Sequence, residues 1–314
     1  MHGKKQVVFI MGPTATGKTK LSIELAKELP FEIINADSTL VYRGMDIGTA
    51  KPSVEKREGI VHHLMDIREP HEPYSTGEFC EDALGLIPEI HKRGYIPCLV
   101  GGTMLYFHYL QQGQVGMPAS DPSLRNELEQ EGAKFDWPFM WEKLKSKNPK
   151  RAHELHPHDR QRICRALELE IILERNPEAI AQNRKPLTDQ YHLNIICLAA
   201  NDRQALHERI ANRFHAMLAD GFLNEAKHLF DDPKNNPLLP AMKTVGYRQA
   251  KAYLDGIYDL DEFTQKAIIA TRQLAKRQHT WLNKWPNASR IDCDSPEILQ
   301  QSRLLLQSCL LNKR

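Results

Sequence analysis

The sequence predicts an α/β protein with a parallel sheet core and an all-helical insertion. Three observations lead to this class. Short apolar runs alternate with helical patterns between residues 7 and 100, a glycine-rich loop joins the first run to the first helix, and a proline-punctuated stretch from 118 to 186 shows no strand pattern. Strands and helices that alternate at this spacing are typical of a parallel sheet.

The elements of the sheet region follow in order along the chain. Residues 7–11 form an apolar run followed by Gly-Pro, as a buried parallel strand does. Residues 18–29 repeat leucine at every fourth position, which predicts an amphipathic helix that the next proline stops. The other predictions here are strands at 31–35 and 96–100 and a helix at 75–93.

After residue 116 the pattern changes to short helical stretches separated by prolines. These are Pro122, Pro138, Pro149, Pro157 and Pro177. A strand returns at 192–199, and long helices are predicted at 202–219 and 259–285. The predicted domains are an α/β core, residues 1–117 and 190–314, and a helical insertion, residues 118–189.

A phosphate-binding loop is predicted between the first strand and the first helix. Its residues are Gly12, Pro13, Thr14, Ala15, Thr16, Gly17, Lys18 and Thr19, which match G-x-x-x-x-G-K-[ST] at every fixed position. Backbone N–H groups of such a loop converge on phosphate oxygens, Lys18 neutralises a terminal phosphate, and the Thr19 hydroxyl is offered to Mg²⁺. A plain tight turn is the weaker alternative, given the strand before the loop and the helix after it. The core is thus predicted to be P-loop NTPase-like.

Asp37 is the acidic residue that follows a strand beside the predicted phosphate site. In a doubly wound sheet the carboxyl ends of the strands face the ligand crevice. The strand at 96–100 ends instead in Gly101-Gly102-Thr103, where an ATPase would carry an acid. Asp37 is a candidate for a metal contact or a base toward an acceptor, and position alone gives equal weight to a turn or N-cap role.

The charge of the chain is unevenly distributed. The 314 residues include 42 Lys or Arg and 40 Asp or Glu, a net charge of +2, which as an average argues against a wholly basic nucleic-acid binder. Residues 143–165 nevertheless hold eight bases and two acids, residues 266–290 six bases and no acid, and residues 119–137 two bases and five acids. One basic run alone is usually a solvated helix, but two of them around a phosphate-binding core favour an anionic polymer as partner.

The cysteines and apolar runs indicate a cellular compartment. The six cysteines include no C-x-x-C pair, so neither a structural zinc site nor a disulfide framework is predicted. The N-terminal apolar run is too short for a signal peptide, and no stretch reaches about 18 consecutive apolar residues. We therefore expect a cytoplasmic protein without a membrane segment.

Seven blocks, in the same order along nearly the whole chain, resemble the bacterial tRNA dimethylallyltransferase family. The most extensive is residues 37–52, DSTLVYRGMDIGTAKP. The others are residues 64–67 with 74–75, 101–106, 156–162, 209–214, 246–249 and 271–281. Seven ordered blocks are far more specific than the phosphate loop alone.

The resemblance implies an activity. Members of this family transfer a dimethylallyl group from dimethylallyl diphosphate to the exocyclic N6 amine of the adenosine directly 3′ of a tRNA anticodon and release diphosphate. By resemblance the phosphate loop holds this diphosphate rather than ATP, Mg²⁺ is the cofactor, and the partner is the tRNA anticodon stem-loop. A monomer is expected.

The resemblance also assigns site residues. Asp37 and Thr103 are the expected catalytic residues; Asp37 orients the amine and takes its proton as the C–N bond forms, and a plain N-cap is the alternative for Thr103. Arg213 is expected to bind the diphosphate, and Arg209 is assigned only in part. The expected tRNA contacts are Asp37, Ser38, Thr39, Leu40, Thr103, Arg125, Gln161, Arg162, Ile163, Cys164, Arg165, Lys243, Gly246, Tyr247, Arg248, Arg272, Lys276, Arg277 and His279.

Two positions depart from the family pattern, and two other functions stay open. Many members have Gln in place of Leu40 and Gly in place of Met104. A P-loop kinase of a small metabolite is one alternative, and it gives the basic helices no task. A non-catalytic RNA-binding protein is the other, and it leaves Asp37 and Thr103 unexplained.

Overall fold

The core of the protein is a six-stranded parallel sheet with the order β3-β2-β4-β1-β5-β6. The computed structural model describes residues 4–113, 118, 120–177 and 185–311. The strands are β1 (Gln6–Met11), β2 (Phe31–Asn35), β3 (His62–His63), β4 (Ile96–Gly101), β5 (His192–Ala199) and β6 (Ser289–Asp292). Since all pairs are parallel, the loops after β1, β2 and β4 meet at one edge of the sheet.

Helices surround the sheet and form the insertion. They are α1 (Lys18–Glu28), α2 (Thr76–Lys92), α3 (Met104–Gln112), α4 (Pro122–Phe135), α5 (Trp137–Lys147), α6 (Pro149–His153), α7 (Arg160–Arg175), α8 (Leu187–Gln190), α9 (Arg203–Ala219), α10 (Phe222–Asp231), α11 (Tyr247–Leu254), α12 (Leu260–Leu282) and α13 (Ile298–Leu311). Several begin at side-chain caps. Ser75 and Glu78 form a capping box at α2, and Asp202 and Asp259 cap α9 and α12.

The predicted α/β class is confirmed, and β2 and β5 have the predicted bounds. The structure adds β3, β6, α8, α10, α11 and α13, which the sequence did not predict. The strand β3 is only two residues long, and β6 buries a single side chain, Ile291, so neither shows an apolar run. The helix α12 ends at Leu282 instead of the predicted 285, because the chain turns at Asn283 before Pro286.

The chain divides into two compact units, Met1–Gln112 with Pro186–Arg314, and Gly113–Lys185. The second unit contains α4 to α7, whose apolar side chains form a core of their own around Leu128, Met140 and Leu167. The predicted boundaries lay a few residues later along the chain. Residues 114–117, 119 and 178–184, on which parts of that prediction fall, lie outside the described residues.

The described part of the chain contains no helix that is both long and apolar enough to cross a membrane. Cys80, Cys98, Cys164, Cys197 and Cys293 are free thiols, and Cys309 lies outside the described side chains. Burial raises the pKa of the Cys80, Cys98 and Cys197 thiols, which makes them packing side chains rather than nucleophiles.

Candidate active site

The phosphate loop is a wide turn between β1 and α1. Ala15 and Gly17 have φ angles of 63° and 80°, the left-handed conformation that turns successive backbone N–H groups toward one point. Gly12 has no room for a side chain, because a Cβ there would lie 2.9 Å from the Leu198 carbonyl oxygen. The helix α1 then begins at Lys18 without a side-chain cap, so its first N–H groups are of the kind that bind an anion.

Lys18 folds back over this turn. Its Nζ donates a hydrogen bond to the Pro13 carbonyl oxygen at 2.6 Å. Burial lowers the pKa of its ammonium from 10.5 to about 8; the Asp37 carboxylate opposes this shift and the Arg213 guanidinium adds to it. A negatively charged partner favours the protonated form, so this lysine is suited to receive a phosphate.

Two arginines of α9, one helical turn apart, reach the site region in different ways. Arg213 is partly buried, burial lowers the pKa of its guanidinium, and its Nη2 donates to the Thr49 carbonyl oxygen at 3.2 Å. Arg209 supports the loop itself, because its Nε donates to the Ala15 carbonyl oxygen at 3.1 Å and its Nη1 pairs with Asp294. Arg213 is therefore the phosphate-binding candidate, and Arg209 holds the backbone of the loop.

Asp37 and Thr103 lie on neighbouring loops, after β2 and β4. The Asp37 Oδ1 accepts hydrogen bonds from the Thr39 N–H at 3.0 Å and from the Thr39 hydroxyl at 2.8 Å. The Thr103 Oγ1 accepts a hydrogen bond from the Ser38 N–H at 2.9 Å. Asp37 thus forms the turn that the sequence left open, and Thr103 links the two loops side by side.

Two cavities in the first unit meet at these groups. The first, with a volume of about 750 Å³, is lined by Lys18 and Thr19, and the second, about 440 Å³, by Ser38 and Thr103. Residues lining both are Thr14, Ala15, Asp37, Thr49, Arg213, Met217 and Gln278. A carboxylate and a guanidinium therefore stand where a phosphate-binding cavity joins a second cavity that carries hydroxyl groups.

A backbone segment that we call the strap, residues 46–51, lines the first cavity, except that Gly48 lines the second. Glu225 on α10 holds it, and its carboxylate accepts hydrogen bonds from the N–H groups of Asp46 at 2.9 Å, Ile47 at 2.7 Å and Gly48 at 2.9 Å. Lys51 ends the strap and pairs with Asp46 and Asp66. Glu225 was not predicted as a site residue, because it lies outside every block that resembles the family.

The predicted tRNA contacts on the first unit range from exposed through half-buried to buried. Lys243, Arg248, Lys276, Arg277 and His279 are exposed, and Lys243 also lines the second cavity. Tyr247 is fully buried, and its hydroxyl donates to Glu225 at 2.5 Å, so its ring has no face for a base. Gly246 beside it is buried but lines the second cavity. Tyr247 is therefore a packing side chain in this structure, and its direct contact with tRNA stays a prediction.

One face of the helix α12 is exposed to solvent, and another lines the second cavity. Lys276, Arg277 and His279 face solvent, whereas Thr271, Leu274 and Gln278 line the second cavity. Arg272, one turn before Lys276, is half-buried, and its enclosed Nε has no hydrogen-bond partner among the described residues. Cationic groups and cavity wall are thus carried by one rigid element.

In the second unit, a buried carboxylate binds two of the arginines that are predicted to contact tRNA. Glu168 is fully buried and binds Arg125 at 2.8 Å and Arg165 at 2.7 Å through its Oε2. Gln161 and Arg162 are exposed on α7. Ile163 and Cys164 lie in the core of this unit, so the structure does not present their side chains to a ligand as the sequence predicted.

Comparisons with known proteins extend over nearly the whole chain. A family model described as IPP transferase matches residues 40–285. The tRNA dimethylallyltransferase of Thiobacillus denitrificans is 46% identical over 308 residues, which cover 98% of this chain and 98% of that protein. The tRNA dimethylallyltransferase of Legionella pneumophila is 45% identical over 312 residues, which cover 98% of this chain and 99% of that protein.

Solved structures agree with these relatives. A tRNA isopentenylpyrophosphate transferase from Bacillus halodurans is 36% identical with a TM-score of 0.72, over 99% of this chain and 98% of that one. A eukaryotic dimethylallyltransferase acting on tRNA is 25% identical with a TM-score of 0.79, over 99% of this chain and 80% of that one. The likeness is therefore not confined to the phosphate loop.

Proposed function

The chain belongs to the IPP transferase family and transfers a dimethylallyl group to tRNA, and we propose that its donor is dimethylallyl diphosphate and its acceptor the N6 amine of the adenosine directly 3′ of the anticodon. The observation that carries this proposal is the meeting of two cavities at Asp37 and Arg213. A transfer between two substrates needs such a junction, because donor and acceptor must enter separately and react at one point.

The first cavity suits the donor. An allylic diphosphate ionises when the charge of the leaving diphosphate is absorbed, and Lys18, Arg213 and the loop N–H groups supply this stabilisation. The same cavity is lined by Ile23, Ile47 and Val100, which suit a hydrocarbon group. Phosphate-binding and apolar surfaces thus lie in one cavity, as an amphiphilic donor requires.

Mg²⁺ is the cofactor that we propose for the donor half. Thr19 lines the first cavity, and Mg²⁺ prefers oxygen ligands such as its hydroxyl together with substrate phosphates. This residue therefore fits the ion. When bound, Mg²⁺ neutralises part of the charge that develops on the leaving diphosphate.

The second cavity suits the acceptor base. The lone pair of an adenine amine is delocalised and its protons are not acidic, so a carboxylate does not deprotonate it in advance. Asp37 accepts a hydrogen bond from the amine and orients it. As the new C–N bond forms and the C–O bond to the diphosphate breaks, Asp37 receives the amine proton. Thr103 faces the same cavity and orients the base.

The acceptor is an unpaired loop base, which costs less to flip out than a base in a duplex. The surface groups proposed to bind the RNA backbone are Lys276, Arg277 and His279 on α12, and Gln161 and Arg162 in the second unit, all of them exposed.

The two departures from the family pattern, Leu40 and Met104, are both buried side chains. We propose a cytoplasmic monomer.

The test is transfer of label without ATP. Purified protein, labelled dimethylallyl diphosphate, Mg²⁺ and unmodified tRNA are incubated, and incorporation into tRNA and release of diphosphate are measured. We expect label in tRNA and an equal amount of diphosphate. Failure of label to enter tRNA would contradict the proposal, and ATP hydrolysis stimulated by a small metabolite would favour a P-loop kinase.

A further inference from the structure

Gln278 joins the two halves of the site through one side chain. It lies on α12 and is 8% exposed. Its Oε1 accepts a hydrogen bond from the Thr14 N–H at 2.9 Å, and its Nε2 donates to the Gly102 carbonyl oxygen at 2.9 Å. Because a backbone N–H only donates and a carbonyl only accepts, these partners define the orientation of the carboxamide.

The two partners belong to opposite halves of the reaction. Thr14 lies in the turn that leads to Lys18, on the donor side. Gly102 precedes Thr103, whose Oγ1 holds the Ser38 N–H on the acceptor side. Gln278 itself lines both cavities. One carboxamide therefore sets the spacing between the donor loop and the acceptor loop.

Gly102 allows this carboxamide to approach the backbone closely. A Cβ at Gly102 would lie 2.5 Å from the Gln278 Nε2, closer than atoms approach without displacement. The glycine thus lets the side chain of α12 reach the backbone of the β4 loop directly. Because Gln278 bonds to a backbone group of each loop, it fixes the backbone position of both loops.

We propose that Gln278 is a positioning residue for the transfer. It holds the phosphate loop in register with the loop of Thr103, so that the allylic carbon on one side meets the amine on the other. This role rests on the proposed function and adds the residue that aligns the donor with the acceptor. Because α12 also exposes Lys276 and Arg277, tRNA bound to that face rests on the helix that carries Gln278.

The test compares two substitutions on the same helix. Gln278→Met keeps the length and volume of the side chain and removes both hydrogen bonds, whereas Gln273→Met changes an exposed position and serves as the control. A loss of alignment of about 1 Å costs on the order of 100-fold in rate, so we expect kcat of Gln278→Met to fall about 10- to 100-fold. The Kd for tRNA alone is expected to stay within about twofold, since no RNA contact is removed.

A second variant separates the two bonds. Gln278→Glu keeps an oxygen for the Thr14 N–H but places the other carboxylate oxygen against the Gly102 carbonyl, so kcat is expected to fall although the side chain keeps its shape. Inhibition by inorganic diphosphate should weaken in both variants, because the donor loop has lost its anchor. A change confined to thermal stability, which a merely structural residue would show, overturns the proposal.

The outcomes are distinguishable from a failure of the proposed function. If the unaltered enzyme transfers no label to tRNA, the proposed function fails. If it does, and Gln278→Met turns over as fast as Gln273→Met, the positioning role is wrong and the function stands. If Gln278→Met does not fold, Gln278→Glu decides: unchanged kcat overturns the role, and reduced kcat with unchanged tRNA Kd supports it.

Discussion

The buried hydroxyl of Tyr247 donates a hydrogen bond to the Glu225 carboxylate at 2.5 Å, and this carboxylate in turn holds three N–H groups of the strap. Thr49, within the strap, accepts the hydrogen bond from Arg213 at 3.2 Å. Two residues of α10 and α11 therefore influence the guanidinium proposed to bind the diphosphate. Neither of them needs to touch a substrate to do so.

Substitutions of Tyr247 and Glu225 should separate effects on stability from effects on donor binding. Tyr247→Phe removes one hydrogen bond to a charged group and is expected to lower the free energy of unfolding by about 1.5–3 kcal/mol in a urea titration. Glu225→Ala leaves the strap N–H groups without their acceptor and is expected also to raise the KM for dimethylallyl diphosphate. If Glu225→Ala leaves that KM unchanged, the strap does not position Arg213.

Substitution of Asp37 is expected to reduce turnover much more than tRNA binding. Asp37→Asn keeps an oxygen for the hydrogen bonds from Thr39 and removes the charge that receives the proton. Loss of a general base typically costs about 10²- to 10⁴-fold in rate, so kcat should fall by that order while the tRNA Kd changes much less. Asp37→Ala also removes the turn and serves as the comparison. Equal losses of turnover and tRNA affinity would make Asp37 a binding residue instead.

The pH dependence of donor binding should follow Lys18. The pKa of its ammonium in the free enzyme is lowered to about 8, so it is protonated below and neutral above that pH. A bound diphosphate favours the protonated form, and therefore kcat/KM for the donor should be level below about pH 8 and fall as the pH rises further. Lys18→Arg stays protonated and should remove this break. A break that persists in Lys18→Arg would assign it to another group.

The lowered pKa of Lys18 also predicts how the stability of the free protein depends on pH. The folded value lies below the usual 10.5, so the unfolded chain binds more protons between these two values. The contribution of Lys18 to the free energy of unfolding should therefore increase with pH across that window. Urea titrations at pH 8 and 10 of the unaltered protein and Lys18→Met measure it. An equal pH response of both proteins would show that Lys18 is not desolvated in the fold.

Lys276 is expected to belong to the phosphate footprint of the tRNA. Each lysine that contacts a phosphate adds about 0.7–0.9 to the slope of log K against log salt, so Lys276→Ala should weaken tRNA binding and lower the slope by about that amount. Lys92→Ala is the matched control, an exposed lysine on α2 that no block resembling the family includes. An unchanged slope for Lys276→Ala would remove this residue from the footprint.

The sheet and phosphate loop were predictable because their signals are local. An apolar run such as residues 7–11 marks a buried strand, and Lys18 and Thr19 have fixed spacing from the loop glycines. Position alone left Asp37 undecided between a turn and a site carboxylate, and the structure shows that it forms the turn and lines both cavities. Both roles need the same loop geometry.

The residues that the sequence missed act over long separations. Glu225 and the strap are about 180 positions apart, and Gln278 meets Gly102 across 176 positions. No periodicity or spacing reveals such pairs. Tyr247, Ile163 and Cys164 are expected to contact tRNA because they stand in or beside blocks resembling the family, and a motif does not distinguish a residue that touches a ligand from one that packs behind it. All three side chains are buried in the structure, which the motif did not indicate.

Donor and acceptor are proposed to meet at Asp37, and the identity of the modified nucleoside shows whether they do. Unmodified tRNA is incubated with the protein, dimethylallyl diphosphate and Mg²⁺, digested to nucleosides and analysed by mass spectrometry, alongside a tRNA with guanosine in place of the adenosine 3′ of the anticodon and the Asp37→Asn protein. We predict a dimethylallyl group on N6 of that adenosine, none on the guanosine-substituted tRNA, and a strongly reduced yield with Asp37→Asn. Modification at another nucleoside would show that the acceptor is wrong, and an undiminished yield with Asp37→Asn would show that Asp37 does not take part in the transfer.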